Sequence, residues 1–273
     1  MIIARTLEEL RHAKELQKDK SLALVPTMGA LHEGHMALVK RAKNLAPFAA
    51  VSIFVNPIQF DQQSDFQRYP KTEEADLELL KEQQVDLVWI PEVEAMYPKG
   101  FATRVTVGGP SLQWEGALRH GHFEGVSTVV SRLFALLKPQ YACFGEKDWQ
   151  QLQVIRRMVE DLVLPVVIEG VPIIREEDGL AKSSRNRFLT DSQRSRAALL
   201  IQTLRKAKIA LEAGQNIAIV QKGATDFLEK NGFKVDYLAA VEGRSMEALD
   251  VWKPTARLIA AAHLGSVRLL DNL

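Results

Sequence analysis

Leu22-Ala23-Leu24-Val25-Pro26-Thr27-Met28-Gly29-Ala30-Leu31-His32-Glu33-Gly34-His35-Met36 is the stretch on which the reading of the whole chain turns. Its first four residues are an apolar run of strand length. From Met36 onward, Met36, Leu38, Val39 and Ala42 recur at helical spacing. A glycine-containing turn lies between, so the order is strand, turn, helix. Such a turn opens onto the N-terminal end of a helix, where backbone N–H groups and the helix dipole favour an anion. His32 and His35 stand at that mouth. The arrangement suits polyphosphate without a P-loop lysine, because no stretch of the chain fits G-x-x-x-x-G-K-[ST]. A zinc pair and a plain structural turn are the competing readings. His32-Glu33-Gly34-His35 is one residue short of the H-E-x-x-H helical pair, which argues against zinc.

Working outward, the same alternation continues on both sides. Upstream, Met1-Ile2-Ile3 reads as a short strand. Thr6 with Glu9 forms a capping box ahead of Leu7, Leu10, Ala13 and Leu16, which predicts a helix to about Lys18. Downstream, residues 49–55 are a continuous apolar run, the mark of a strand buried on both faces. Asn56-Pro57-Ile58-Gln59-Phe60 ends it. A polar loop is expected over 61–71, then a helix capped by Thr72 with Leu77, Leu79 and Leu80 inward, then a strand over 85–90. Residues 91–122 are an excursion rich in glycine and proline, with a short β pattern at 103–107. A helix follows over 126–137, a strand over 140–144, a helix over 149–162 and a strand over 166–168. Strands alternating with helices predict a doubly wound, Rossmann-like parallel sheet. A charged turn at 174–179 marks a domain boundary: residues 1–174 form the Rossmann-like domain and 175–273 a small α+β domain. In that second part helices are expected over 191–213 and 216–230, and strands over 233–241 and 256–263.

Composition narrows the class of function. Thirty-five basic residues face 34 acidic ones, so no broad nucleic-acid surface is implied. The one cysteine, Cys143, lies in an apolar run and reads as a buried, inert thiol. No secretory signal pattern or membrane-spanning run is present, and a cytoplasmic setting is expected. Polar residues follow the predicted strands at their carboxyl ends, the edge at which open parallel sheets bind ligands. They are His32 and His35, then Asn56 and Gln59, then Lys147, Asp148 and Gln151. Ser183-Ser184-Arg185 arrives from the domain boundary. Each group has a bland reading beside it: an Asn-Pro turn, a surface ion pair, a capped loop. Arg119-His120-Gly121-His122 reads as a metal or phosphate loop or as a solvated turn.

His-x-Gly-His after a first strand resembles the adenylate-forming nucleotidyltransferases. The longer strings P-T-M-G-A-L-H-E-G-H, F-V-N-P-I-Q-F, R-Y-P-K-T, G-H-F-E-G-V-S-T-V-V, F-G-E-K-D-W-Q-Q and D-G-L-A-K-S-S-R-N run in order from residue 26 to 186, and together resemble the pantoate–β-alanine ligase family. The resemblance implies an AMP-forming ligase that joins pantoate to β-alanine through a pantoyl adenylate, with ATP and Mg2+. It implies an ATP site along Met28, Gly29, Ala30, Leu31, His32, Glu33, Gly34 and His35, with His35 the proton donor and His32 beside the phosphates. Gly145, Glu146, Lys147 and Asp148 would contact the nucleotide, and Ile174 the adenine. Lys182, Ser183, Ser184 and Arg185 would close on the phosphates from a small C-terminal lid. Gln59 and Gln151 would hold pantoate, with Asn56 beside them. A homodimer is implied as well, and neither nucleic acid nor membrane is an expected partner. Two positions depart from the family pattern. His120 stands where proline is usual, and Lys182 stands where an apolar residue is usual, which points to its backbone as the contact.

The chemistry of adenylation fits the residue types. Two anions must be brought together, so catalysis is positioning and charge stabilisation. Lys147 and Arg185 can neutralise phosphate oxygens, and the serines and histidines can donate. Two alternatives use the same turn: another nucleotidyltransferase, such as a cytidylyltransferase, and a non-catalytic nucleotide-binding protein.

Overall fold

The apolar runs and helical spacings become a parallel sheet with flanking helices in the structure, a computed structural model that describes residues 1–60, 66, 69–70 and 72–273. The expected polar loop over 61–71 lies largely outside the described residues. In chain order the first elements are β1 (Ile2–Ala4), α1 (Leu7–Gln17), β2 (Leu22–Thr27), α2 (Glu33–Leu45), β3 (Phe48–Ile53), α3 (Glu73–Glu82) and β4 (Leu87–Trp89). Then follow α4 (Val93–Met96), α5 (Glu115–Leu118), α6 (His122–Leu137), β5 (Tyr141–Gly145), α7 (Trp149–Asp161) and β6 (Val167–Val171). The capping box of α1 forms as expected: Glu9 N–H donates to Thr6 Oγ1 at 3.2 Å and Thr6 N–H donates to Glu9 Oε2 at 3.1 Å.

Among the described residues six strands make the sheet, in the order β1-β4-β3-β2-β5-β6, all parallel. From β2 the chain steps one way to β3 and β4, then returns to the other side of β2 with β5 and β6. The strand order therefore reverses between β2 and β5, the place where such sheets accept ligands. β2 pairs with β3 along its whole length, but with β5 through Ala23↔Tyr141 and Leu24↔Ala142. Beyond Leu24 that ladder ends, and the carboxyl ends of β2 and β5 part. Leu22 to Val25 are fully buried, as a continuous apolar run in a parallel sheet requires. Leu38, Val39 and Ala42 of α2 pack on Ala23, Val25, Val51, Val88 and Cys143.

Two details differ from the sequence reading. Residues 103–107 join no sheet. Val105 N–H donates to Thr128 Oγ1 at 3.0 Å and Thr106 Oγ1 to Glu124 Oε2 at 2.9 Å, so side chains of α6 replace a neighbouring strand. α6 also begins at His122, before the predicted 126.

The chain divides into two units, Met1–Glu146 with Val154–Pro172, and Lys147–Gln153 with Ile173–Leu273. The sequence reading cuts once, after residue 174, whereas here Lys147–Gln153 goes with the second unit. The second unit holds α8 (Asp191–Ala197), α9 (Leu199–Glu212), α10 (Ile217–Lys230), β7 (Phe233–Glu242), β8 (Ala256–Leu264) and β9 (Val267–Asn272). The single helix expected over 191–213 is interrupted at Ala198, whose ψ of −12° departs from the helical value. β7-β8-β9 is an antiparallel sheet. Leu200, Ile201, Leu204, Leu211, Ile217 and Leu228 of α9 and α10 share a core with Leu258, Leu264 and Leu269 of the sheet. β9 is missing from the sequence reading. Its signal was the Gly265-Ser266 pair between Leu264 and Val267, a two-residue hairpin connection.

Candidate active site

The turn after β2 is built around its two histidines. His32 is the N-cap of α2, and its Nδ1 accepts from the Gly34 N–H at 3.1 Å. His35 Nδ1 accepts from the His32 N–H at 3.3 Å. The pair thus works as a reciprocal capping box, with imidazole nitrogens in place of a hydroxyl and a carboxylate. Each Nδ1 faces an N–H donor, so in the neutral ring the proton resides on Nε2. The ring centroids are 4.2 Å apart. Gly34 is what lets His32 fold back: a methyl group there would lie 2.8 Å from His32 Cε1.

Asp76 holds the turn from α3, and nothing in the local sequence marks it. The side chain is 2 % exposed, and it accepts the Ala30 N–H at 2.9 Å and the Leu31 N–H at 2.7 Å. Ala30 lies in the left-handed region, φ 50°, a conformation that costs a non-glycine residue about 1 kcal/mol and needs outside support. The sequence reading offered the turn's N–H groups to an anion. Those of Ala30, Leu31, His32 and Gly34 are instead engaged within the protein.

A second cluster lies at the carboxyl end of β3, in the 3₁₀ turn Pro57–Gln59. Asn56 is 1 % exposed; its Nδ2 donates to Gln59 Oε1 at 3.0 Å and to the Gly125 carbonyl at 3.1 Å. Its Oδ1 accepts from the Tyr97 hydroxyl at 2.8 Å, and burial pushes that phenol up, so it stays a donor. Asn56 therefore orients Gln59 through its own hydrogen bonds. Gln59 Nε2 lies 3.1 Å from Met28 Sδ, which ties this cluster to the histidine turn.

His122 is the support beneath Gln59, and the sequence reading missed this role. It is 6 % exposed, so it does not lie in a solvated turn; His120 is the exposed one. His122 Nδ1 lies 2.9 Å from the Gln59 carbonyl, and Nε2 lies 3.1 Å from Arg119 Nη1. A guanidinium donates and a carbonyl accepts, so His122 is the neutral tautomer with its proton on Nδ1. α6 approaches the turn at Gly125, where a methyl group would meet Ile58 O at 2.5 Å, Gln59 Cα at 2.6 Å and Gln59 N at 2.7 Å.

Gly145 and Glu146 lie in the first unit, at the carboxyl end of β5. In the second unit Lys147 Nζ lies 3.4 Å from Asp148 Oδ1, and Gln151 is half-buried in the first turn of α7. The Ile174 carbonyl accepts the Lys182 N–H at 2.9 Å, while Lys182 Nζ is 3.6 Å from Glu176 Oε2. Ser183 Oγ accepts the Arg185 N–H at 3.3 Å and caps the 3₁₀ turn Ser184–Phe188, with Arg185 exposed. Among the described residues no three His, Cys, Asp or Glu gather as a metal set, and no helix is long and apolar enough to cross a membrane.

Fold and turn together define a doubly wound α/β protein whose histidine-capped helix stands at the reversal of strand order, in a chain that also holds a small antiparallel α+β unit. The sequence matches the pantoate–β-alanine ligase family over residues 2–273. It is 50% identical over 281 residues to the pantothenate synthetase of Granulibacter bethesdensis, covering 100% of this chain and 96% of that one. The structure of pantothenate synthetase from Thermus thermophilus is similar at TM-score 0.94 and 48% identity, over 100% of this chain and 99% of that one. The pantoate–β-alanine ligase of Francisella tularensis, solved with beta-gamma ATP and β-alanine, is similar at TM-score 0.85 and 33% identity, over 100% and 97%. The chain belongs to the pantoate–β-alanine ligase family. It is accordingly a ligase, of the family that makes pantothenate.

Proposed function

We propose that this chain joins pantoate to β-alanine in two steps through an enzyme-bound pantoyl adenylate, releasing pyrophosphate and AMP. The observation that carries the reading is the reciprocal histidine cap at the β2–β5 reversal, which fixes two imidazoles through their Nδ1 atoms at the start of a helix. The ligands named for the Francisella relative support ATP and β-alanine as substrates. Magnesium enters with ATP as its counter-ion.

In the first step a pantoate carboxylate oxygen attacks the α-phosphorus. The bond from that phosphorus to the bridging oxygen breaks, and pyrophosphate leaves. The carboxylate is already ionised, so this step needs no base. His35 and His32 donate from Nε2 to the phosphate oxygens, and His35 Nε2–H is aimed at the charge that develops on the leaving side. Met28, Gly29, Ala30, Leu31, Glu33 and Gly34 form the wall of that turn. Lys147, Ser183, Ser184 and Arg185 supply the remaining charge and donors, Lys182 holds Ile174 through its backbone N–H, and Gly145, Glu146, Asp148 and Ile174 meet the nucleoside. Gln59 and Gln151 bind pantoate, with Asn56 and His122 holding Gln59 in place. In the second step the β-alanine nitrogen attacks the acyl carbon, the acyl–oxygen bond to AMP breaks, and the amine proton passes to solvent. The second unit acts as a lid that keeps water from the mixed anhydride. A cytoplasmic homodimer acting without nucleic acid or membrane completes the proposal.

The test is isotope exchange. Labelled pyrophosphate should enter ATP with pantoate present and β-alanine absent, and should stop when pantoate is withheld. Formation of ADP in place of AMP would overturn the mechanism.

A further inference from the structure

β9 ends in two buried polar residues, Asp271 at 4 % and Asn272 at 3 % exposure. Apolar residues fill neighbouring inward positions of this small sheet, and buried polar groups are costly unless every hydrogen bond is met. Here they are met by segments distant in sequence. The Asp271 carboxylate accepts Arg175 Nη1 at 2.7 Å and Nη2 at 2.8 Å, a two-toothed fork. Arg175 Nη1 also donates to the Gly179 carbonyl at 3.0 Å, and Arg175 forms a β-bridge with Ala181. The fork therefore closes the base of the loop that delivers Lys182 to Arg185.

Asn272 grips the other segment. Its Nδ2 donates to the Lys147 carbonyl at 3.0 Å, and its Oδ1 accepts Arg257 Nε at 2.7 Å. The Arg257 guanidinium lies 3.4 Å over the Trp149 ring, and Trp149 Nε1 donates to the Gly243 carbonyl at 2.7 Å. The backbone from which the Lys147 side chain projects is thus tied to β9 and not only to the strand before it.

We propose that Asp271 and Asn272 are positioning residues: adjacent on one strand, they hold the Lys147 segment and the Lys182–Arg185 segment in fixed register for the phosphates of ATP. The proposal rests on the adenylate reading given above. It goes beyond that reading by assigning the register of the two cationic segments to a C-terminal dipeptide that touches no substrate. Misplacing a reacting or charge-stabilising group by about 1 Å costs on the order of 100-fold in rate.

The decisive variant is Asn272→Asp. It keeps the acceptor for Arg257 and replaces the donor to the Lys147 carbonyl with an oxygen that repels it. Asn272→Leu removes both contacts. Asp271→Asn weakens the fork on Arg175. Asp236→Asn, which loosens the Arg268–Asp236 ion pair (2.7 Å) on the same sheet, is the control for a merely structural lesion. The readouts are pantoate-dependent pyrophosphate exchange at saturating ATP, the ATP KM and the thermal midpoint. Asn272→Asp should lower exchange about 10- to 100-fold when measured well below its own midpoint, where the chain is fully folded. Asp271→Asn should raise the ATP KM. Asp236→Asn should exchange at the parental rate. The proposal is overturned if Asn272→Asp exchanges like the parent, if Asp236→Asn loses exchange equally, or if Asn272→Asp fails to fold. Absence of exchange in the unmodified chain would instead sink the adenylate reading, and this proposal with it.

Discussion

Gly125→Ala separates two opposing effects at one atom. Gly125 lies inside α6, where alanine is favoured over glycine by about 1 kcal/mol. Were the position open, the substitution would stabilise the protein. It is not open: the new methyl group would sit 2.5 Å from Ile58 O, 2.6 Å from Gln59 Cα and 2.7 Å from Gln59 N, where ordinary contact begins near 3.4 Å. All three are backbone atoms, so no side chain can swing aside, and the turn or the helix has to retreat by about 1 Å. Overpacking of this kind costs about 1–3 kcal/mol, which equals or exceeds the helical gain. The retreat also stretches the Asn56–Gly125 and His122–Gln59 hydrogen bonds, at 3.1 Å and 2.9 Å, that hold Gln59. A displacement of about 1 Å at a positioning group costs on the order of 100-fold in rate. We therefore expect the pantoate KM to rise and kcat to fall, with the ATP KM little changed. The assay is steady-state kinetics with each substrate varied in turn, alongside a thermal melt. A midpoint at or above the parental one, together with an unchanged pantoate KM, would refute the close-approach argument and the role given to Gln59.

Three further outcomes are expected. His35→Ala should lose about 100- to 1000-fold in kcat with little loss of ATP affinity, because one aimed donor is removed; near-parental turnover would count against it. Asp76→Ala leaves two buried N–H groups without their acceptor, at about 1–3 kcal/mol each, so melting temperature and kcat should fall together, and Asp76→Asn should do less harm. A melt like the parent's would mean the clamp is dispensable. Cys143 is fully buried, and that burial, aided by Glu169, pushes its thiol up to about 12. Iodoacetamide at about pH 8 should leave the native chain unlabelled and modify it in denaturant, as read by mass; full labelling of the native chain would contradict the buried position.

Local chemistry is legible in the sequence alone. The apolar run Leu22–Val25, the Thr6–Glu9 capping box and the turn from Met28 to His35 depend on neighbours within a few residues, and each sits where the sequence places it. The doubly wound class followed too, since continuous apolar strands alternating with amphipathic helices pack well in few other ways. The identity of the cap partners did not follow. Imidazole nitrogens are unusual caps, and the pattern S/T-x-x-E/Q does not anticipate them.

The rest was set by contacts between residues distant along the chain. Asp76 reads as one more charge on an acidic helix start until it is placed beneath Ala30 and Leu31, 46 and 45 residues away. The bonds that Asn56 makes to Tyr97, Gly125 and Gln59 cannot be read from its Asn-Pro turn. His122 reads as part of a metal or phosphate loop or of a solvated turn, and only the packing of α6 shows its contact with the Gln59 carbonyl. Sequence spacing encodes which face of an element is apolar, because that face repeats with the period of the helix or strand. It does not encode which buried donor will meet which acceptor. That pairing depends on strand order and helix packing, which bring together groups that no local period relates.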